Sequence, residues 1–300
     1  MEAVAAVRAF WDQSAKRKSD IVGTLWTSHW AVQERINTLV SGSPNIDMYQ
    51  HAISLLQRHG LKLPVATIAS LGCGTGELER GLSTYNLAKE YWGFDLSDQS
   101  LAMATEAARP LPATFRYEPQ NLNAPCLGEK LFDIVFAVMS LHHVEEIEAL
   151  AEAIDHALRA GGWLVINEYV GPNRFQWTDQ QIAVINSVLE ALPPRLKTVA
   201  ASIEKQRVVR ETVETMIRVD ASEAVRSQDI IPVLEGRFDL IERRDYGGCI
   251  LHMLLADIIK NFQGDDALAV LRQIFVVEDL AIAGRLVPSD FTFAIYRKRG

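Results

Sequence analysis

The stretch Val65-Ala66-Thr67-Ile68-Ala69-Ser70-Leu71-Gly72-Cys73-Gly74-Thr75-Gly76-Glu77 constrains this chain more than any other. A short apolar run with β-branched residues stops at a glycine-dense turn, and helix-forming residues follow at once. That order predicts a buried strand, a loop needing unusual backbone angles or close ligand approach, and a helix. The glycines stand at 72, 74 and 76. A dinucleotide fingerprint begun at Gly72 needs glycine or alanine at position 77, which is Glu. A carboxylate at a helix N-terminus is also a poor neighbour for a pyrophosphate. The turn therefore disfavours a nicotinamide dehydrogenase and suits a ligand without phosphate that carries a cation and a sugar.

The same alternation continues downstream. Strands are expected at 90–94, 113–117, Phe132–Val138 and 163–166, with helices at 77–82 and Asp98–Ala108 between them. Ile147, Leu150, Ala151, Ile154 and Leu158 form one apolar helical stripe, with Gly161-Gly162 as its stop signal. Continuous apolar strands separated by helices predict a parallel sheet covered on both faces. The first sixty residues read as helices, one of them opened by Asn45-Ile46-Asp47 and closed by His59-Gly60. Beyond Gly171 the alternation stops. Thr178 caps a helical run through Ile182, Ile185 and Leu189, Pro193-Pro194 breaks it, and further helix is expected up to Val219. The sheet resumes at 238–246 and closes at 291–296, with helices at 251–262 and 265–283 between.

Composition narrows the partners. The 300 residues carry a net charge of −8, which argues against a protein that tracks nucleic-acid phosphates. The short basic group Lys16-Arg17-Lys18 reads as a solvated helix end. Cys73, Cys126 and Cys249 form no CxxC pair, so neither a disulfide framework nor a zinc site is expected. No apolar run is long enough for a membrane span, and the start lacks a basic-then-apolar leader. The expectation is a cytoplasmic protein with a small-molecule substrate and no membrane or nucleic-acid partner. The oligomeric state stays open, a homodimer among the options.

Asp95, at the tip of the second strand, stands roughly 20 residues beyond the glycine turn, where a doubly wound sheet presents an acid to ribose hydroxyls. Its rival role is to cap the following helix. With these residues in place, the stretch from about 64 to 170 resembles the class I S-adenosylmethionine-dependent methyltransferases. The features that carry the likeness are Gly72, Gly74 and Gly76, Asp95, Asn121 in Gln120-Asn121-Leu122-Asn123, Leu141-His142-His143-Val144, and Leu158-Arg159-Ala160-Gly161-Gly162. The stretches 167–177 and 220–227 further resemble a bacterial small-molecule and natural-product subset.

The resemblance implies a Rossmann-like, doubly wound seven-stranded α/β sheet, with five or six parallel strands and an antiparallel C-terminal strand. Around it are expected a helical N-terminal cap (1–60), the cofactor core (61–170), a helical lid insertion (171–234) and a C-terminal completion of the sheet (235–300). It implies S-adenosyl-L-methionine as cofactor and S-adenosyl-L-homocysteine as product. Gly72, Cys73, Gly74, Gly76, Asp95, Leu96, Asn121 and Ser140 are the expected cofactor residues.

His143, His142 and Glu168 are the expected catalytic candidates, because histidine is readily poised as a base near neutral pH. Tyr169, Arg174 and His252 are expected at the acceptor; Trp26, Trp30 and Trp177 are aromatic candidates for the same pocket, with core packing the default role for any Trp. His29, His51, His59 and His156 are taken as structural, and Arg226 as a surface ion-pair residue. No metal-ligand spacing stands out, so a metal-independent in-line transfer to an oxygen is expected. Two departures from the family pattern, Ser70 and Asn121 in place of acids, lower the negative charge near the cofactor, and Glu77 could restore part of it. They keep open a non-methylating protein that binds S-adenosylmethionine or S-adenosylhomocysteine, as a cyclase or a regulatory module.

Overall fold

The computed structural model describes residues 2–16, 25–200 and 203–300. Arg17 and Lys18 of the basic group lie outside the described residues. The central sheet is seven-stranded, in the order β3-β2-β1-β4-β5-β9-β8. Its strands are β1 (Val65–Leu71), β2 (Ala88–Asp95), β3 (Thr114–Pro119), β4 (Phe132–Val138), β5 (Leu158–Tyr169), β8 (Phe238–Gly247) and β9 (Phe291–Lys298). The first five pair in parallel, whereas β9 runs antiparallel to both β5 and β8. A separate ribbon pairs β6 (Thr198–Ala200) with β7 (Ile203–Glu204).

The sheet has two buried faces, as its continuous apolar strands require. Ile68, Ile134, Phe136, Trp163 and Val165 face one core, with Val32, Ile36 and Leu56 of the N-terminal helices and Leu271 from the C-terminal part. Ala69, Leu71, Val135, Ala137, Leu164 and Ile166 face the other, against the helices Ile147–Ala157 and Ile230–Arg237. Alternate residues of one strand thus feed opposite cores.

Several helix boundaries follow local chemistry. Asp47 caps Met48–Arg58 through a reciprocal capping box with Gln50. Thr178 caps Asp179–Ala191 by accepting from the Gln181 N–H. Others differ from the sequence expectation. The helix Ile147–Ala157 ends before Leu158, which already pairs with Phe132 in the sheet. The residues between Leu158 and Trp163 are accommodated as a bulge in β5, with Gly161 at φ 70°.

The expected helix beyond Pro194 is only the short turn Pro194–Lys197; the β6–β7 ribbon and an extended run lead to the helix Val213–Val219. Tertiary bonding holds that run open: Lys205 Nζ donates to the carbonyls of Met253, Leu254 and Ala256, closing off the helix Leu251–Leu255. This is also why the expected 251–262 helix is short. Ala256 is non-helical, and a separate turn, Ile259–Asn261, follows.

The helix Glu77–Ser83 turns Glu79 fully into the core. Burial pushes this carboxyl up to about 8, against a main-chain hydrogen bond and the Arg80 charge, which pull it down. A carboxyl raised above the ordinary range keeps its proton in the folded state. It therefore favours folding at low pH, and that advantage is lost as pH climbs through about 8. Thermal melts between pH 5 and pH 9 should show Glu79→Gln declining less steeply than the parent protein; parallel curves would refute the buried-acid assignment.

Candidate functional site

The carboxyl ends of β1, β2, β4 and β5 share one edge of the sheet, and a cavity of about 500 Å³ opens there. Gly72, Gly74, Asp95, Leu96, Asn121, Ser140 and His143 line it. Gly72 sits at φ 66°, and a Cβ there would meet Ser140 Cβ at 2.5 Å. Gly74, at φ 52°, has nothing within 4 Å of a built Cβ, so its backbone lies open. Glycine is needed at the first position because the chains crowd, and at the second it leaves room for close approach. Cys73 and Gly76 belong to the same turn but do not line the cavity.

Asp95 accepts from the Gly74 and Ser97 N–H groups, each at 2.8 Å. The helix-cap role falls to Ser97, whose hydroxyl accepts from Ser100 N. A carboxylate offers about four acceptor positions, so Asp95 can brace the loop and still receive further donors. Burial raises its pKa, against the three main-chain N–H groups that lower it. Asn121 Oδ1 accepts from Asn123 N at 3.0 Å, forming a tight turn at the cavity wall.

Residues that carried no sequence signal complete the cavity. Val4, Val7 and Trp11 of the helix Glu2–Lys16 cover it. This helix is latched by Asp12, which accepts from Ser97 Oγ at 2.6 Å and Gln99 N at 3.2 Å. Trp11 meets His143 edge-on at 4.8 Å. Met139 adopts φ 50°, a conformation rare for a side-chain-bearing residue, and donates its N–H to the Asn167 carbonyl.

Behind the wall lies a buried polar cluster. Glu168 is 0% exposed; its Oε1 accepts from Ser140 N at 2.6 Å and Leu141 N at 2.7 Å, and its Oε2 pairs with His142 Nδ1 at 2.8 Å. Burial pushes the His142 pKa down, but Glu168, with Glu223 and Asp220 farther out, outweighs it and holds the pKa above its ordinary value. His143 goes the other way: burial and the neighbouring His142 drive it well down, so it is neutral at neutral pH. Its Nδ1 lies 3.2 Å from the Ser222 carbonyl. Glu223, half-buried and raised by desolvation, approaches His142 Nε2 at 3.6 Å. Asp220, Ser222 and Glu223 were not singled out as site residues from sequence, because they reach the histidines from about 80 positions away.

The structure places the remaining expected acceptor residues off the cavity wall. Tyr169 is buried, and its hydroxyl donates to the Pro172 carbonyl. Arg174 Nη1 donates to the Ala221 and Glu223 carbonyls and holds their turn in place. His252 packs among Trp26, Tyr169, Phe175, Trp177 and Phe291, and burial lowers its pKa to about 4. Trp30 is exposed and stacks on His29.

Residues 69–166 match the family model described as "Methyltransferase domain". A curated ubiquinone biosynthesis O-methyltransferase from Paraburkholderia phytofirmans is 30% identical over 99 residues, 33% of this chain and 42% of the relative. The chain thus spans less than half the length of the curated relatives it matches. Among solved structures, phosphoethanolamine N-methyltransferase 2 of Haemonchus contortus, in complex with phosphomonomethylethanolamine and S-adenosylhomocysteine, superposes with a TM-score of 0.54 at 18% identity. That superposition covers 98% of this chain and 60% of the other. The same enzyme in complex with S-adenosyl-L-methionine gives 0.51 at 16% identity, covering 91% and 58%. At these identities the likeness concerns the fold.

Replacing Glu168 tests how the site is held. Glu168→Ala leaves two main-chain donors and His142 without their acceptor and should cost about 3 kcal/mol in urea unfolding, with Glu168→Gln costing about half as much. Equal, small losses would show that the carboxylate is dispensable.

Proposed function

We propose, from the match of residues 69–166 to the methyltransferase-domain family model, that this protein binds S-adenosyl-L-methionine in the cavity and transfers its methyl group to a small molecule. The observation that carries the reading is the shared lining: Gly72, Gly74, Asp95 and Asn121 bound the same cavity as His143. The glycine turn would pass under the methionine part, Asp95 would take the ribose hydroxyls, and Asn121 and Leu96 would flank the base.

The finer assignment is transfer to an oxygen of a sugar or natural product. Curated relatives include an O-methyltransferase, whereas the solved neighbours described above are an N-methyltransferase, so the acceptor atom rests on the site's own groups. A hydroxyl must lose its proton. The His142–His143–Glu168 cluster is the place where that proton leaves, with half-buried His143 at the wall and buried Glu168 positioning His142. The sulfonium already activates the methyl carbon. The remaining task is alignment and exclusion of water, which can supply roughly 7–11 kcal/mol of the barrier. The Glu2–Lys16 helix, laid over the cavity, serves that exclusion.

Calorimetric titration with S-adenosyl-L-methionine and S-adenosyl-L-homocysteine tests the cofactor reading, and methyl-labelled cofactor with a panel of hydroxyl acceptors tests the transfer. Binding without transfer to any acceptor would favour a non-methylating role on the same fold; no binding would remove the cofactor assignment. Asp95→Ala should weaken cofactor affinity about tenfold or more through lost charge-assisted bonds. Affinity equal to the parent's would exclude ribose binding there. His143→Ala should slow transfer while leaving cofactor affinity nearly intact, and unchanged turnover would move the proton-accepting group elsewhere.

A further inference from the structure

We propose that His142, His143 and Glu223 form a divalent-cation site beside the cavity. A ring nitrogen of each histidine and a carboxylate oxygen of Glu223 all lie within 4.8 Å of one another. His142 is poised for ligation. Glu168 holds its Nδ1–H at 2.8 Å, which leaves the Nε2 lone pair facing Glu223 Oε1 at 3.6 Å. That gap is too long for a hydrogen bond. Two ligands about 2.1 Å from one ion at a tetrahedral angle stand about 3.4 Å apart, so the gap fits a shared cation.

His143 repeats the arrangement. Its Nδ1 meets the Ser222 carbonyl, which only accepts, so the ring is protonated on Nδ1 and its lone pair sits on Nε2. An orienting acceptor on the far ring nitrogen is how metal-binding imidazoles are held. Glu223 is delivered by a turn docked on the histidine itself: Val225 N donates to the His142 carbonyl, and Arg174 braces the Glu223 carbonyl.

Two imidazoles and a carboxylate suit Zn²⁺ or Mn²⁺ better than Ca²⁺. Three protein ligands leave at least one position open, and His143 sits in the cavity wall. This rests on the methyl-transfer reading and recasts its proton step: with the ion bound, the His143 lone pair holds the cation and takes no proton. An acceptor hydroxyl on that position would ionise nearer neutral pH, giving its proton to water. Its oxygen would then bond the methyl carbon as the C–S electron pair returns to sulfur, leaving a neutral thioether.

The competing arrangement is an imidazolium at His142 between two carboxylates, with no ion. The test is calorimetric titration of the EDTA-treated 300-residue chain with ZnCl₂ and, separately, MnCl₂. One ion per chain is expected, with affinity falling tenfold or more in Glu223→Gln and in His143→Asn. Both variants keep the main-chain bonds that hold the turn, and circular-dichroism melts identify folded samples. No saturable binding of either ion, or binding that both variants leave unchanged, would overturn the site. Cofactor affinity measured on the same samples reads separately: its loss would count against the methyltransferase reading and not against the cation site.

Discussion

The buried Glu168 carboxylate is the interaction on which the site depends. A carboxylate removed from water is tolerated only when donors replace its hydration. Here the donors are Ser140 N, Leu141 N and His142 Nδ1, all from the segment leaving β4. Meeting the needs of one charge therefore bends that segment into a fixed path at the end of β5. Met139 is held at a positive φ just before it, and Ser140 is pressed against Gly72 so closely that only glycine fits there. His142 and His143 then emerge with set orientations. The charge thus ties the first, fourth and fifth strands together at the edge where ligands bind in this architecture.

A second set of acids closes the cavity from above. Asp95 braces Gly74 and Ser97, and Asp12 of the covering helix reaches the same Ser97 and Gln99. The cover and the floor therefore share one helix N-terminus, whose main-chain N–H groups need acceptors in any case. Closure over the cavity makes use of bonds that the end of helix Asp98–Ala108 would otherwise seek from water. The exposed Arg8–Asp98 pair adds little to this latch, since exposed ion pairs are weak.

Much of the framework was legible in order of residues. The apolar runs at Val65–Leu71 and Phe132–Val138, the glycine turn, the acid at position 95 and the Thr178 cap each act within a few neighbours. Their structural consequences could be read without knowing the rest of the chain. The run at 205–212 was not legible in this way. Its extended course depends on Lys205 finding carbonyls of a helix some fifty residues later. Leu158 likewise continues a helical stripe on paper, but in the fold it is committed to pairing with Phe132.

By itself the sequence determined the alternation of strands and helices, the position of the glycine turn and the acid at the second strand's tip. Those are consequences of periodicity and backbone freedom, which are local. Only the tertiary structure decided that Trp11 covers the cavity, that Tyr169 and His252 pack away from its wall, and that Ser222 and Glu223 meet the histidines. Each of these joins residues far apart in the chain. They are selected by the satisfaction of buried charges and the packing of whole faces, and neither leaves a mark on the spacing of any one segment.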